Sequence, residues 1–177
     1  TKINPATFPF EISTSFAAAY ATKPGSGSDE YGDYIFCKYD YFGDWNVNND
    51  TGPTGGQYDR HIPTHEMGHF MNLDHPWGGN NNPGNASSCS TDDNVDDTPD
   101  CIGVTACLLN NNSCSTDNAY WGFDIKDNVE NYMDYSYCSK MFTAGQVSRM
   151  RAALQVSSTG RANLWQAANL TETGADG

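Results

Sequence analysis

A hydrophobic stripe of helical spacing marks the last third of the chain, where Val147, Met150 and Leu154 recur at i, i+3 and i+7. Thr143-Ala144-Gly145-Gln146 just before it has the form of a capping box, in which hydroxyl and amide side chains close the first helical turn. A helix with one core-facing side is predicted from there. Tyr34 to Phe42 is aromatic-rich and bounded by Gly32 and Gly43, the pattern of a strand. Upstream, Phe8, Phe10, Ile12, Phe16 and the run Ala17-Ala18-Ala19-Tyr20 predict a strand or short helix that ends at Pro24-Gly25-Ser26-Gly27-Ser28. Residues 43–57 read as loop, 63–72 as a helix, and 77–130 as a long stretch with few apolar positions. A last short helix is expected over Ser158–Ala168 around Leu164 and Trp165, followed by a linker-like tail, Thr171–Gly177. No internal repeat is visible, so residues 1–170 are read as one domain, with 1–32 as its N-terminal part.

Composition sharpens this picture. The 177 residues suffice for one domain, yet only 37% are hydrophobic, and Gly, Asn, Asp and Ser are abundant. A loop-rich domain of this kind needs cross-links or metals to hold it. Six cysteines, at 37, 89, 101, 107, 114 and 138, lack the C-x-x-C spacing of zinc ribbons and redox motifs. Disulfides are therefore expected, and with them an oxidising, extracellular location for a secreted chain. Spacing alone does not choose their connectivity. A segment as long as 77–130 without regular structure is compatible with a compact domain only if it is stapled. The formal net charge of −13 speaks against nucleic acid as a partner and gives no handle on anionic membranes. No run approaches the length of a transmembrane helix, and no signal peptide is recognisable, so a processed chain is expected.

The candidate chemistry is concentrated in His65-Glu66-Met67-Gly68-His69-Phe70-Met71-Asn72-Leu73-Asp74-His75. H-E-x-x-H places two imidazoles one helical turn apart on one face, with a carboxylate beside them as general base for a zinc-bound water. His75 would lie roughly 240° round from His69 if the helix continued, so the chain must turn between them. Asn72 stands where that turn is needed, since Asn adopts the left-handed conformation at modest cost, and Pro76 keeps the helix from resuming. An amphipathic core helix would not gather three of the chain's four histidines in this window; a zinc site would. His61 is separated from the motif by Pro63, a residue suited to the first helical turn, and is read as a loop residue near the site.

Asn131-Tyr132-Met133-Asp134-Tyr135-Ser136 then acquires meaning, because elongated zinc motifs of this kind are accompanied by a methionine-containing turn beneath the metal. With Val95-Asp96-Asp97-Thr98-Pro99, Met141-Phe142-Thr143-Ala144-Gly145-Gln146 and Tyr39-Asp40-Tyr41-Phe42-Gly43 in matching order over about residues 33–157, the chain resembles the pappalysin–cytophagalysin metzincins, secreted zinc endopeptidases.

The resemblance implies an α+β, zincin-like fold with an active-site helix, a Met-turn and a C-terminal helix, loop-rich and disulfide-stapled. It implies zinc held by His65, His69 and His75, Glu66 as general base and acid, Met133 as the structural Met-turn residue and Tyr135 as a donor to the oxyanion. It also suggests a calcium ion held by Asp93, the Asp96 carbonyl and Thr98, against the plainer reading of a solvated acidic loop. Carried over by position, the disulfides are Cys89–Cys114 and Cys107–Cys138, which leaves Cys37 and Cys101 to pair with each other.

Three departures stand out. Asn72 replaces the commoner Gly at the helix break. The stretch from Met133 to Cys138 is short, with Tyr137 where arginine-preferring members carry an acid, so a basic preference does not transfer. Only 64 residues precede His65 of the zinc motif, a short N-terminal subdomain that points either to trimming in this group or to a partial product of a larger protease. The expected function is peptide-bond hydrolysis of protein or peptide substrates, with substrate paired to a strand at 34–42. The alternative is a non-catalytic, metalloprotease-like binding or assembly module; a third reading, a zymogen held by a thiolate on zinc, would require Cys37 or a propeptide to reach the metal. Asn163 to Asn169 resembles the exit of this domain in longer secreted proteins, so further domains of a longer precursor are expected.

Overall fold

The computed structural model describes residues 18–25, 34–38, 41 and 61–176. Two short strands, β1 (Ala19–Ala21) and β2 (Ile35–Cys37), pair antiparallel with Tyr20 opposite Phe36. Tyr20 stacks on Phe36 at 5.2 Å between ring centroids and meets Tyr34 edge-on at 5.7 Å, so cross-strand aromatic pairs hold this ribbon. The strand expected over 34–42 is thus three residues long among those described; Tyr39, Asp40 and Phe42 lie outside them, as do Phe8 to Phe16, the 43–57 loop, and all of 1–32 except 18–25.

The helix α1 (Ile62–Phe70) packs against β1, with Pro63 in its first turn as the sequence predicts, and His61 at its N-cap. Residues 77–130 contain one 3₁₀ turn, Ala86–Ser90, and one short helix, α2 (Asn118–Trp121). Buried carboxylates organise this segment alongside its few buried apolar side chains, Trp77, Val95 and Val129 among them. Asp127 accepts from the Ser113 amide at 3.0 Å, the Ser113 hydroxyl at 2.7 Å and Asn111 Nδ2 at 2.6 Å, while Asp117 accepts from the Asp100 amide at 2.7 Å. Loop backbone removed from water must find partners, and here they come from side chains.

Two disulfides complete the stapling, Cys89–Cys114 and Cys107–Cys138, with Cα atoms 5.5 Å apart in each. The expected third bridge does not form. Cys37 sits on β2 with its thiol turned to the carbonyls of Lys38 and Tyr41, both at 3.5 Å, whereas Cys101 is buried within the stapled segment. A bridge needs side chains that face one another at short range, and these belong to separate parts of the fold.

The helix α3 (Ala144–Ala153) opens with the predicted capping box: the Gln146 amide donates to Thr143 Oγ1 at 3.1 Å and the Thr143 amide to Gln146 Oε1 at 3.0 Å. Its buried side is Gln146, Met150 and Ala153, with Val147 and Leu154 only half-buried, so the stripe is rotated from the one read off the apolar pattern. Gln146 is inside because its amide also serves a second partner, described below. The last expected helix is displaced as well. Residues Ser157–Thr159 and Arg161–Trp165 form 3₁₀ turns around Gly160, whose φ of 76° breaks regular helix, and α4 follows at Ala167–Thr173. Leu164 and Trp165 are exposed, and residues 171–173 of the expected tail are helical.

The core forms where α1 ends: Leu73, Met133 and Met150 are buried together, flanked by Met71, Phe142 and Val147. Arg161, fully buried, reaches this point from the C-terminal segment. Its guanidinium lies 3.5 Å from the Phe70 ring centroid and donates to the carbonyls of Phe70 and Thr22, tying the end of α1 to the end of β1. Among the described residues no helix is long and apolar enough to cross a membrane.

Candidate metal centre

His65 and His69 project from one face of α1, and the helix then stops as the sequence requires. Asn72 has φ 74°, and the Leu73 amide bonds back to the Gly68 carbonyl at 2.9 Å, reversing the chain so that His75 returns to the same face. The potential ligand atoms of His65, His69 and His75 all lie within 4.8 Å of one another. The outer ring nitrogens are each held by a backbone carbonyl: Nδ1 of His65 by Tyr132 at 2.7 Å, of His69 by Leu73 at 2.8 Å, and of His75 by Asn80 at 2.9 Å. A carbonyl only accepts, so each Nδ1 carries the proton and each Nε2 presents a lone pair to the centre.

Around this triad stand the other predicted residues. Glu66 is buried, and its Oε2 has no hydrogen-bond partner among the described residues. Tyr135 places its ring 5.5 Å from His65 and 4.9 Å from His75. Met133 is fully buried under α1, where its sulfur occupies the space a side chain at position 68 would need: a Cβ on Gly68 would come within 2.3 Å of Sδ. Gly68 is therefore the motif residue that lets the Met-turn approach. That turn is fixed by Asn131, whose Oδ1 accepts from the Met133 amide at 2.9 Å and whose Nδ2 donates to Gln146 Oε1 at 2.9 Å. One glutamine thus serves both the cap of α3 and the floor of the site. The three histidines, Glu66 and Tyr135 border a cleft of roughly 680 Å³ that β1 also lines. Among the described residues of the expected 34–42 strand, Tyr41 reaches the cleft wall.

The profile of the family described as pregnancy-associated plasma protein-A, Peptidase_M43, matches residues 20–155. The chain is a pappalysin. Its relatives include an extracellular metalloprotease of Arthroderma benhamiae, 36% identical over 124 residues that make up 66% of this chain and 38% of that protein. Another, from Arthroderma otae, is 39% identical over 100 residues, 55% of this chain and 32% of that protein. This chain therefore spans about a third of the length of those relatives. Mature mirolysin of Tannerella forsythia, solved with a cleaved peptide, is 30% identical with a TM-score of 0.58, covering 83% of this chain and 50% of mirolysin. A second mirolysin structure, with a bound compound, gives 29% identity and a TM-score of 0.62 over 86% of this chain and 53% of that one. The fold of this pappalysin is the zincin-like one of the metzincins.

The family implies zinc, and the donor set fits that ion. Burial, joined by the neighbouring imidazoles, pushes His65 down to about 3 and His75 to about 2, and burial lowers His69 as well. The His65 and His75 rings are therefore neutral near neutral pH, and His69 is shifted in the same direction. His69 Nε2 and His75 Nε2 are 3.2 Å apart, and neither has a proton to share, so two lone pairs oppose each other. A cation among them removes that repulsion, and neutral imidazole nitrogens with carbonyl-fixed tautomers are what zinc takes.

Sequence reading missed Trp77. Its ring lies parallel to that of His75 at 4.5 Å between centroids, and its Nε1 donates to the same Asn80 carbonyl at 2.9 Å, so imidazole and tryptophan share one anchor. The available signal was a tryptophan two residues after the third histidine of the motif. Gly103, at φ 75°, leaves the room this indole fills. Lys23 and Asp74 form an ion pair at the cleft, the acid lying between Leu73 and His75. His61 faces the cleft with its ring 5.6 Å from Tyr132 and is not part of the converging triad.

In the acidic loop, Asp93 and Thr98 are brought together. Asp93 Oδ1 accepts from Thr98 Oγ1 at 2.7 Å and from the Val95 amide at 3.0 Å, while its Oδ2 is buried without a partner. Burial pushes Asp93 up to about 7. The Asp96 side chain is exposed, and Asp97 accepts from the Gly145 amide at 2.9 Å, docking the loop on α3.

Asp134, within the Met-turn, is likewise raised to about 7 by burial, although its Oδ1 accepts from the Ser136 amide at 2.9 Å. A raised carboxyl favours the folded state most at low pH and loses that contribution as pH climbs through the folded value. Asp134→Asn keeps the acceptor and removes the titration. Relative to the parent, the variant should gain about 1–3 kcal/mol in unfolding free energy between pH 5 and pH 8. Denaturant titrations at the two pH values, at equal zinc, measure this; an unchanged difference would refute it.

Proposed function

We propose that this chain carries the catalytic centre of a secreted zinc endopeptidase. The observation that supports it most is the convergence of three imidazole lone pairs beside a buried carboxyl oxygen that has no other partner. His65, His69 and His75 would hold the ion. Bound there, zinc supplies Lewis-acid polarisation of the scissile carbonyl and lowers the pKa of a water toward ~7. Glu66 takes a proton from the attacking water at Oε2 and returns it to the leaving amine nitrogen. Burial, then the negative Glu66 nearby, push the Tyr135 phenol up to about 12, so it remains a proton-bearing donor that can meet the oxyanion as it forms. Met133 acts from below, as packing. The two disulfides and the extracellular relatives support secretion. Calcium at Asp93, the Asp96 carbonyl and Thr98 is supported by the buried, unpartnered Asp93 oxygen.

The test is hydrolysis of unfolded casein by the purified chain with three treatments: none, a zinc-selective chelator followed by zinc, and a calcium-selective chelator. Loss with the first chelator and recovery with zinc is expected. The calcium chelator should lower the melting temperature with zinc content unchanged; no shift would remove the calcium site. A chain that binds zinc and cleaves neither casein nor short peptides would be a binding or assembly module.

A further inference from the structure

We propose that Arg149 of α3 is a positioning residue for the zinc ligands, locking the turn that delivers His75 to the acidic loop on the other side of its guanidinium. The inference rests on the zinc reading above. Arg149 Nε donates to the Asn72 carbonyl at 2.7 Å, and Nη1 donates to the carbonyls of Asp93 and Asn94 at 3.3 and 3.2 Å. The two non-glycine residues with positive φ among the described residues are Asn72, at 74°, and Asn94, at 59°. Both left-handed carbonyls converge on this one cation.

A left-handed residue reverses the chain, and the direction of its carbonyl sets where the next residues go. Asn72 has two such consequences. Leu73 follows it, and the Leu73 carbonyl holds His69 Nδ1. His75 follows three residues on, and its Nε2 must meet that of His69. A guanidinium that fixes the Asn72 carbonyl thus acts on two ligands without touching either. It is suited to the task because its planar fork presents several donors at fixed angles, which the single ammonium of lysine does not. On the opposite side, the acidic loop is itself pinned by Asp97 to the Gly145 amide, so Arg149 grips a fixed body rather than a free loop.

Partners that orient metal ligands are worth about 10–100-fold in metal affinity, and this range is expected for Arg149→Gln, measured by competition with a chromogenic zinc chelator. Arg149→Lys, which keeps the charge and the aliphatic stem, should fold like the parent and still bind zinc about 10-fold less tightly. The cobalt-substituted variants should show altered d–d absorption, and kcat should fall with KM little changed. Asn94→Ala, which strains the left-handed carbonyl that Arg149 grips while leaving the Arg149 side chain and every histidine unsubstituted, should weaken zinc in the same way, and Asn94→Gly should not. Wild-type zinc affinity and an unaltered cobalt spectrum in a folded Arg149→Lys or Asn94→Ala protein would overturn the proposal and leave the zinc reading intact. Failure of the unsubstituted chain to bind cobalt or zinc would overturn both.

Discussion

Glu66→Gln should retain stoichiometric zinc and the native fold while losing about 10²–10⁴ of turnover, the range that a positioned general acid–base supplies. The substitution is nearly isosteric, and the three imidazoles proposed to hold the ion are untouched. What disappears is the lone pair at Oε2 that no other group among the described residues engages. The pH profile adds a second readout. Burial by itself puts the Glu66 carboxyl at about 7, and a dication beside it favours the charged form, so the acid limb of kcat/KM should lie below pH 7. Activity rises with pH through that limb because the base must be deprotonated, and Glu66→Gln should abolish the limb. Tyr135→Phe should differ in kind: a loss of about 10²–10³, mainly in kcat, with the acid limb preserved. A metal-loaded Glu66→Gln protein with near-parental turnover would end the assignment of the base.

Removing the Cys107–Cys138 bridge by double substitution to serine should cost about 3–4 kcal/mol, the chain-entropy expectation for a closed loop of this size. The bridged residues are 31 apart in sequence, and Cys138 lies three residues beyond Tyr135. The cost should extend to the site, since the bridge holds the loop-rich segment against the Met-turn that carries Met133 and Tyr135. Equal removal of Cys89–Cys114, with a separation of 25, should lower stability by a similar amount with a smaller effect on kcat, because it closes within the segment itself. Denaturant unfolding and zinc-dependent peptide hydrolysis of the two variants decide this. Identical kinetic losses would show that the bridges act only on global stability. In material from its natural source, the four bridging cysteines should resist alkylation until reduced, as the proposed extracellular location demands.

The parts legible from sequence share a short range. His65 and His69 need only the helical repeat, Asn72 and Pro76 only local backbone preference, and Thr143 with Gln146 only the geometry of a first turn. The resemblance carried the rest that held: Met133 under the helix and the two disulfides pair residues far apart in the chain, and no local rule derives them. Where local reading went astray, competition from distant partners explains it. The α3 stripe was rotated because Gln146 is drawn inward by Asn131, and the last helix was misplaced because Gly160 breaks it and Arg161 is buried against α1. The Cys37–Cys101 pairing failed because counting leftovers says nothing of which side chains face each other.

By itself, then, the order of residues determined that a broken helix would present three imidazoles and a carboxylate, because those requirements are met within eleven consecutive positions. Tertiary structure alone decided what surrounds them: Trp77 flat against His75, Gly68 yielding its space to a sulfur, and two arginines gripping the carbonyls where α1 ends. Carbonyls and ring faces are recognised by whatever packs against them, and any residue of the right chemistry reaching from elsewhere will do. Such partners leave no spacing in the sequence to be read.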